Sequence, residues 1–324
     1  MSSKLVSILT PCYNGEKYLD KYFSDILSQD YSSCELLFID DGSKDATPQI
    51  VEKYRPLIEK KGYELKYIRQ ENMGQGIAVA NSLKFVTGEY LIWPDCDDRL
   101  HKSSISVRVR FLEEHPEYGM VRSEGIVVDE KEPDKVLRYI SGKSEHRFAE
   151  NIFSDYLFGK SAWLQPGSFM VRMSAFDKAN PERYIYPIRY GQNWQMVLPV
   201  LYHFKCGYID TPLFTYVLHK GSSSDINGKD YEYLISREEI YYKIVSETIK
   251  HMQIPDEDIY LKQLQIYYTR KYLTLAYNQR NKAEAKRIYS MLKKMDGVRL
   301  RDFIKVKSMN FKISHILYRK IVGN

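Results

Sequence analysis

Residues 90–98, Tyr90-Leu91-Ile92-Trp93-Pro94-Asp95-Cys96-Asp97-Asp98, decide how the chain is read. Tyr90–Trp93 is a short apolar run that ends at a proline, the pattern of a buried strand. The chain then enters a loop carrying three carboxylates within four residues. Carboxylates this close repel one another unless a cation sits among them, and hard oxygen ligands suit Mg2+ or Mn2+. The ordinary alternative is a solvated turn, with Asp98 capping a helix from about Lys102.

Toward the N-terminus the same strand–loop–helix unit repeats. Leu5–Thr10 reads as a strand, and Tyr18, Leu19, Tyr22, Phe23, Ile26 and Leu27 fall at helical spacing. Glu35–Asp40 is apolar on both faces at Leu36–Ile39, as a parallel strand covered on both sides must be. A helix follows with Thr47 as its N-cap and Pro48 at its first position. Leu65–Arg69 is a third strand and Ile77–Val86 a third helix. This alternation predicts a mainly parallel sheet with ligands at the carboxyl ends of its strands. Those ends are Pro11-Cys12-Tyr13-Asn14, Asp40-Asp41-Gly42-Ser43 and Pro94–Asp98, two of them acidic. Gly74-Gln75-Gly76 lacks the rest of any phosphate-loop signature and reads as a tight turn.

Beyond residue 115 the pattern changes. Met120–Val128 and Val136–Ile140 read as antiparallel strands, Phe148–Phe158 as an amphipathic helix, Ser168–Met173 as a strand and Asn193–Phe204 as a helix. Tyr231–Lys250, Asp256–Asn278 and Lys282–Met295 are helical, and the expected domain boundary is near 225–230, at Gly221-Ser222-Ser223-Ser224.

Composition narrows the partners. The 324 residues carry 44% hydrophobic side chains, enough for a packed core, and a net charge of +6. From Ala285 onward there are eleven Lys or Arg against two Asp, so the preceding body is net acidic. That argues against nucleic acid and toward anionic lipid as the tail's partner. Arg299, Arg301, Lys305, Lys307, Lys312, Arg319 and Lys320 interleave with apolar residues, as in an interfacial anchor. A helix packed on the body or on a second subunit is the competing reading, which leaves a homo-oligomer open. No apolar run spans a bilayer, no signal peptide is evident and the four cysteines form no CxxC pair, so a cytoplasmic protein is expected, at most peripheral at the inner face of the membrane.

Taken together, Pro11-Cys12-Tyr13-Asn14, Asp40-Asp41-Gly42-Ser43-Lys44-Asp45, Asn72-Met73-Gly74, Gly88-Glu89-Tyr90 and Asp95-Cys96-Asp97-Asp98 resemble, in order and spacing, the inverting family 2 glycosyltransferases. The resemblance is dense over residues 4–100 and looser from 160 to 225. It implies a GT-A fold: a Rossmann-like α/β domain for nucleotide-diphospho-sugars over residues 1–225, with a nucleotide-binding half to 115 and an acceptor half from 116. A helical region with a basic tail, 226–324, follows. It further implies transfer of a hexosyl or N-acetylhexosaminyl unit, usually from a UDP-sugar, to a hydroxyl of a lipid- or protein-linked glycan, in polysaccharide or glycoconjugate assembly. By motif, Pro11 and Tyr13 would line the base and ribose pocket, Asp41 would contact the base, and Asp95 would face ribose and the outer shell of a Mn2+ or Mg2+ ion. Asp97 or Asp98 would ligate the metal, and His219 matches a late motif that touches metal or diphosphate.

One departure stands out. Where the family places an acidic pair before an aromatic, this chain has Gln192-Asn193-Trp194. An amide cannot remove a proton near neutral pH; it can orient a hydroxyl through its carbonyl oxygen. Asn193 thus stands at the base position without a base's chemistry, beside Gln192, with Trp194 placed to stack on the acceptor. The alternatives are an enzyme with another base, a slow transferase or donor hydrolase, and a nucleotide-sugar-binding or scaffold subunit. Gln192 and Asn193 acting only as helix caps fits any of these. A nucleotidyltransferase would need a basic, glycine-rich triphosphate loop that Pro11–Lys17 does not supply.

Overall fold

The computed structural model describes residues 3–160, 163–220 and 230–309. It divides into two compact units, Met1–Ser222 and Ser223–Asn324. The Gly221–Ser224 stretch and the tail residues Lys312, Arg319 and Lys320 lie outside the described residues.

The first unit alternates strand and helix: β1 (Val6–Cys12), α1 (Glu16–Ser28), β2 (Cys34–Asp40), α2 (Thr47–Lys60), β3 (Glu64–Arg69), α3 (Gln75–Ser82) and β4 (Tyr90–Ile92). There follow β5 (Arg99–Leu100), α4 (Ser104–Glu114), β6 (Tyr118–Asp129), β7 (Arg138–Tyr139), α5 (Phe153–Leu157), β8 (Phe169–Arg172), α6 (Met173–Ala179), α7 (Gln192–His203) and β9 (Lys205–Leu218). One nine-stranded sheet runs β3-β2-β1-β4-β8-β6-β9-β5, with β7 paired to β6. β3, β2, β1 and β4 are mutually parallel, and β8 runs antiparallel to both β4 and β6. Every residue of β1 and β2 is buried, because helices cover both faces. Val6, Ile8, Leu36 and Phe38 meet Leu19, Phe23 and Ile26 of α1 in one core, each such side chain contributing about 1.5–3 kcal/mol by its burial.

Four expectations are corrected. Phe148–Phe158 is not one helix: a 3-10 turn at Glu145–Phe148 is followed by the five residues of α5. Thr47 is the first residue of α2 rather than its cap; its hydroxyl accepts from Gly15 N at 2.9 Å and so ties α2 to the start of α1. Asp98 caps no helix, since its Oδ1 accepts from Val217 N at 2.9 Å. Gln192 and Asn193 do not cap α7 either; Gly191 holds that place at φ 77°, a left-handed conformation that glycine adopts without strain. The 14-residue β9 and the helix α6 were not anticipated. Pro212 interrupts β9 where its register against β6 shifts, which hides the strand's alternation.

The second unit is helical: α8 (Tyr231–His251), α9 (Glu257–Asn278), α10 (Lys282–Lys294) and α11 (Leu300–Ser308). Leu273, Ala276, Ala285, Ile288 and Leu292 form its core, against which Val306 and Met309 pack. Asp302 accepts from Arg270 Nε at 3.1 Å, and Lys305 donates to Thr274 Oγ1 at 2.8 Å. Lys305 therefore faces inward, while Leu300, Phe303 and Ile304 are exposed beside Arg299, Arg301 and Lys307. Among the described residues no helix is long and apolar enough to cross a membrane.

Candidate active site

The carboxyl ends of β1, β2 and β4 bring the sequence-selected loops together. Asp41 N donates to Cys12 O at 2.8 Å, Asn14 N to Ser43 Oγ at 2.9 Å and Lys44 N to Asn14 Oδ1 at 2.8 Å. Pro11 is buried and Tyr13 is 46% exposed, so the tyrosine ring stands available beside this junction. Asp40 closes the loop internally, accepting from Ser43 N at 2.7 Å and from the Tyr67 hydroxyl at 2.6 Å.

Asp41 does more structural work than its sequence suggested. Its Oδ1 accepts from Gln70 Nε2 at 2.8 Å and Met73 N at 2.9 Å, and its Oδ2 from Gly74 N at 2.8 Å. The carboxylate thereby holds the 70–74 loop over the end of β2, with a lone pair of Oδ2 left for a further donor. Gly74 sits at φ 95°, and a Cβ there would lie 2.7 Å from Arg189. At Gly76 a Cβ would lie 2.2 Å from Ile188 O. These glycines let the segment before α7 press onto the loop, and Gly76 N donates to Arg189 O at 3.0 Å.

Asp95, Asp97 and Asp98 can each present an oxygen within 4.8 Å of the others. Burial, then the charge of Asp97, pushes the Asp95 carboxyl up to about 8. Burial and the same neighbours hold Asp98 well above the usual carboxylate range. Asp98 Oδ2 is buried with no hydrogen-bond partner, an arrangement that costs free energy unless something electropositive meets it. His219, from the far end of β9, places Nε2 2.9 Å from Asp97 Oδ2 and Nδ1 3.2 Å from the Tyr18 hydroxyl. Three clustered carboxylates, an orphaned inward oxygen and an imidazole fit a hard divalent cation.

Four contacting residues went unselected from the sequence. Gln75 Nε2 donates to Asp95 Oδ1 at 2.5 Å, although its loop read as a plain turn. Tyr18 supports His219, and Val217 N anchors Asp98. Trp93 Nε1 donates to Asn193 Oδ1 at 2.7 Å, which fixes the orientation of the amide and leaves that oxygen one further lone pair. Gln192 is buried with Oε1 unpartnered, and Trp194 is half-buried on the same turn.

Residues 7–179, more than half of the chain, match the family described as Glycosyl transferase family 2. The chain belongs to that family. Over 111 residues, 34% of this chain and 19% of the relative, the chain is 32% identical to the poly(ribitol-phosphate) beta-N-acetylglucosaminyltransferase TarS of Staphylococcus aureus. Over 110 residues, 34% of this chain and 42% of the relative, it is 30% identical to the putative teichuronic acid biosynthesis glycosyltransferase TuaG of Bacillus subtilis. The matched stretch thus spans less than half the length of either relative. The crystal structure of S. aureus TarS 1–349 with UDP-GlcNAc superposes with a TM-score of 0.64 at 17% identity, covering 95% of this chain and 92% of that one. A mannosyltransferase from Pyrobaculum calidifontis, solved with GDP-Man and Mn2+, gives a TM-score of 0.53 at 16% identity, covering 98% of this chain and 88% of that one. The expected GT-A-like α/β fold with a helical C-terminal region is therefore the fold of this chain.

Proposed function

We propose that this family 2 transferase moves a hexosyl or N-acetylhexosaminyl unit, with inversion, from a UDP-sugar to an oxygen of a lipid- or protein-linked acceptor in glycan assembly. The observation that carries this is the Asp95–Asp97–Asp98 cluster with its unpartnered Asp98 Oδ2 and facing His219. Asp97, Asp98 and His219 would hold Mn2+ or Mg2+, and Asp95, kept in place by Gln75, would face ribose. Bound there, the cation would offset charge developing on the leaving diphosphate. Pro11 and the exposed Tyr13 would receive the base, with Asp41 offering its remaining lone pair to a ring N–H. The UDP-GlcNAc complex of the similar TarS fold supports a uridine donor, and the Mn2+ in the P. calidifontis structure supports the metal. Trp194 would stack on the acceptor. Leu300, Phe303 and Ile304, exposed among cations, support peripheral contact with an anionic inner membrane face; a second copy of the helical unit is the other candidate for this face.

The lack of a carboxylate at Gln192-Asn193 favours one second reading, a binding or scaffold subunit that holds nucleotide-sugar without transferring it. UDP release from a panel of UDP-sugars, with and without Mn2+, decides between them. Mn2+-dependent release with at least one sugar is expected. UDP binding without release from any sugar selects the scaffold.

A further inference from the structure

The Trp93–Asn193 contact fixes what α7 can offer an acceptor. An indole N–H can only donate. Trp93 is 1% exposed and seated edge-on against Phe169, with ring centroids 4.5 Å apart. Asn193 must therefore turn its carbonyl oxygen toward the indole, since a flipped amide would set N–H against N–H. Nδ2, a pure donor, is left on the opposite side of the amide. The segment belongs to the donor site: Gly76 N bonds Arg189 O, and the adjacent Gln75 bonds Asp95. The first turn of α7 contains no acid. Arg189, three residues before Gln192, donates to Asn72 O at 3.3 Å and to Asn72 Oδ1, both uncharged acceptors.

We propose that the acceptor atom is an anionic phosphate oxygen rather than a hydroxyl, and that Asn193 Nδ2 donates to a second oxygen of the same phosphate. This rests on the UDP-sugar reading above. A hydroxyl nucleophile needs a base, and the amide at position 193 is none; it offers the Nδ2 donor and the one lone pair that Trp93 leaves on Oδ1. A phosphate monoester, with a second pKa of about 6, arrives already ionised near neutral pH and keeps further oxygens to accept N–H groups. The positive end of α7 and the Arg189 guanidinium suit that anion, whereas an acidic pair at 192–193 would repel it. In the step, a phosphate-oxygen lone pair forms a bond to the anomeric carbon. The bond from that carbon to the β-phosphate oxygen breaks, and its electrons leave with UDP. No proton changes hands, and the product is a glycosyl phosphodiester.

The test offers three acceptors with a UDP-sugar panel and Mn2+: dodecyl phosphate in micelles, glycerol 3-phosphate in solution, and neutral dodecyl glucoside. Mass spectrometry should find a glycosyl phosphodiester from one or both phosphates, the positive arm showing whether the source is lipid or soluble, and no product from the glucoside. Asn193→Asp keeps an acceptor for Trp93, so the fold should hold, as its melting temperature will report. It should lower transfer to phosphate by roughly tenfold to a hundredfold while leaving Mn2+-dependent UDP binding in place. Transfer to the glucoside alone, UDP binding with no phosphate product, or faster phosphate transfer by the Asn193→Asp variant overturns the proposal and leaves the donor reading intact. Loss of Mn2+-dependent UDP binding in the wild type removes both.

Discussion

Replacing Asp97 by asparagine should stabilise the metal-free protein and abolish its response to metal. Two unit charges 4.8 Å apart, the outer limit within the cluster, repel by about 3–4 kcal/mol at an effective dielectric of about 20. The fold relieves much of this by keeping protons, as the elevated Asp95 and Asp98 carboxyls show. A carboxyl raised from its usual 3.8 to about 8 retains its proton in the folded state after the unfolded chain has lost it. Stability therefore falls as pH rises through that window, by up to about 1.4 kcal/mol per pH unit for each such group. It levels off above the folded value, where both states are ionised. The Asp97→Asn change removes the charge that acts on both neighbours, yet the amide, with both a donor and an acceptor end, still offers His219 Nε2 a partner. A net gain of roughly 1–3 kcal/mol at pH 7.5 follows, which is about 3–10 °C in Tm for a unit of this size. Calorimetric melting between pH 5 and 8.5 in EDTA, then in Mn2+ with UDP, checks it. Wild type should lose stability toward pH 8 in EDTA and regain it with Mn2+ and UDP; the variant should lose less, because burial still raises Asp95 and Asp98, and should not regain it. A variant that melts below wild type in EDTA at pH 8, or a wild-type Tm flat across the range, refutes the reasoning.

Asp41→Ala removes the acceptors of three hydrogen bonds that hold the 70–74 loop; a loss of about 2–4 kcal/mol and faster proteolysis near Met73 are expected, while Asp41→Asn should cost less. Gly76→Ala drives a methyl into Ile188 O, so it should lower Tm and impair acceptor transfer more than UDP binding, measured as a larger change in acceptor KM than in UDP affinity. A chain ending at Asp296 lacks α11 with Leu300, Phe303 and Ile304. It should float with anionic liposomes more weakly than the full chain, and equal flotation would remove the membrane reading.

The parallel half of the sheet was legible because burial on both faces writes itself as unbroken apolar runs, Leu36–Ile39 above all. Placing the acidic loop needed only the rule that ligands gather at strand carboxyl ends. β9 was not legible, since Pro212 and the register shift beside it break the period of two, and the two residues of β5 carry almost no periodicity; β7 falls inside the strand expected at Val136–Ile140. Within the site, clustered charge marked Asp95, Asp97 and Asp98. His219 came through the family resemblance, and its packing against Asp97 depends on β9 ending beside the acidic loop. Gln75 and Trp93 were missed for a common reason: their roles lie in contacts across the fold, Gln75 to Asp95 and Trp93 to a residue 100 positions away. Asn193 showed the reverse case. Its sequence announced a missing base, but only the indole bond revealed how the amide is oriented.

A cation at the Asp95–Asp98 loop that holds uridine diphosphate should make UDP binding depend on the metal. Titration calorimetry of UDP into the full chain, in Mn2+ and then in EDTA, tests it most directly, with His219→Ala alongside. UDP binding should weaken at least about tenfold in EDTA, and the Mn2+ effect should be smaller in the histidine variant. Equal UDP affinity with and without Mn2+ would contradict it.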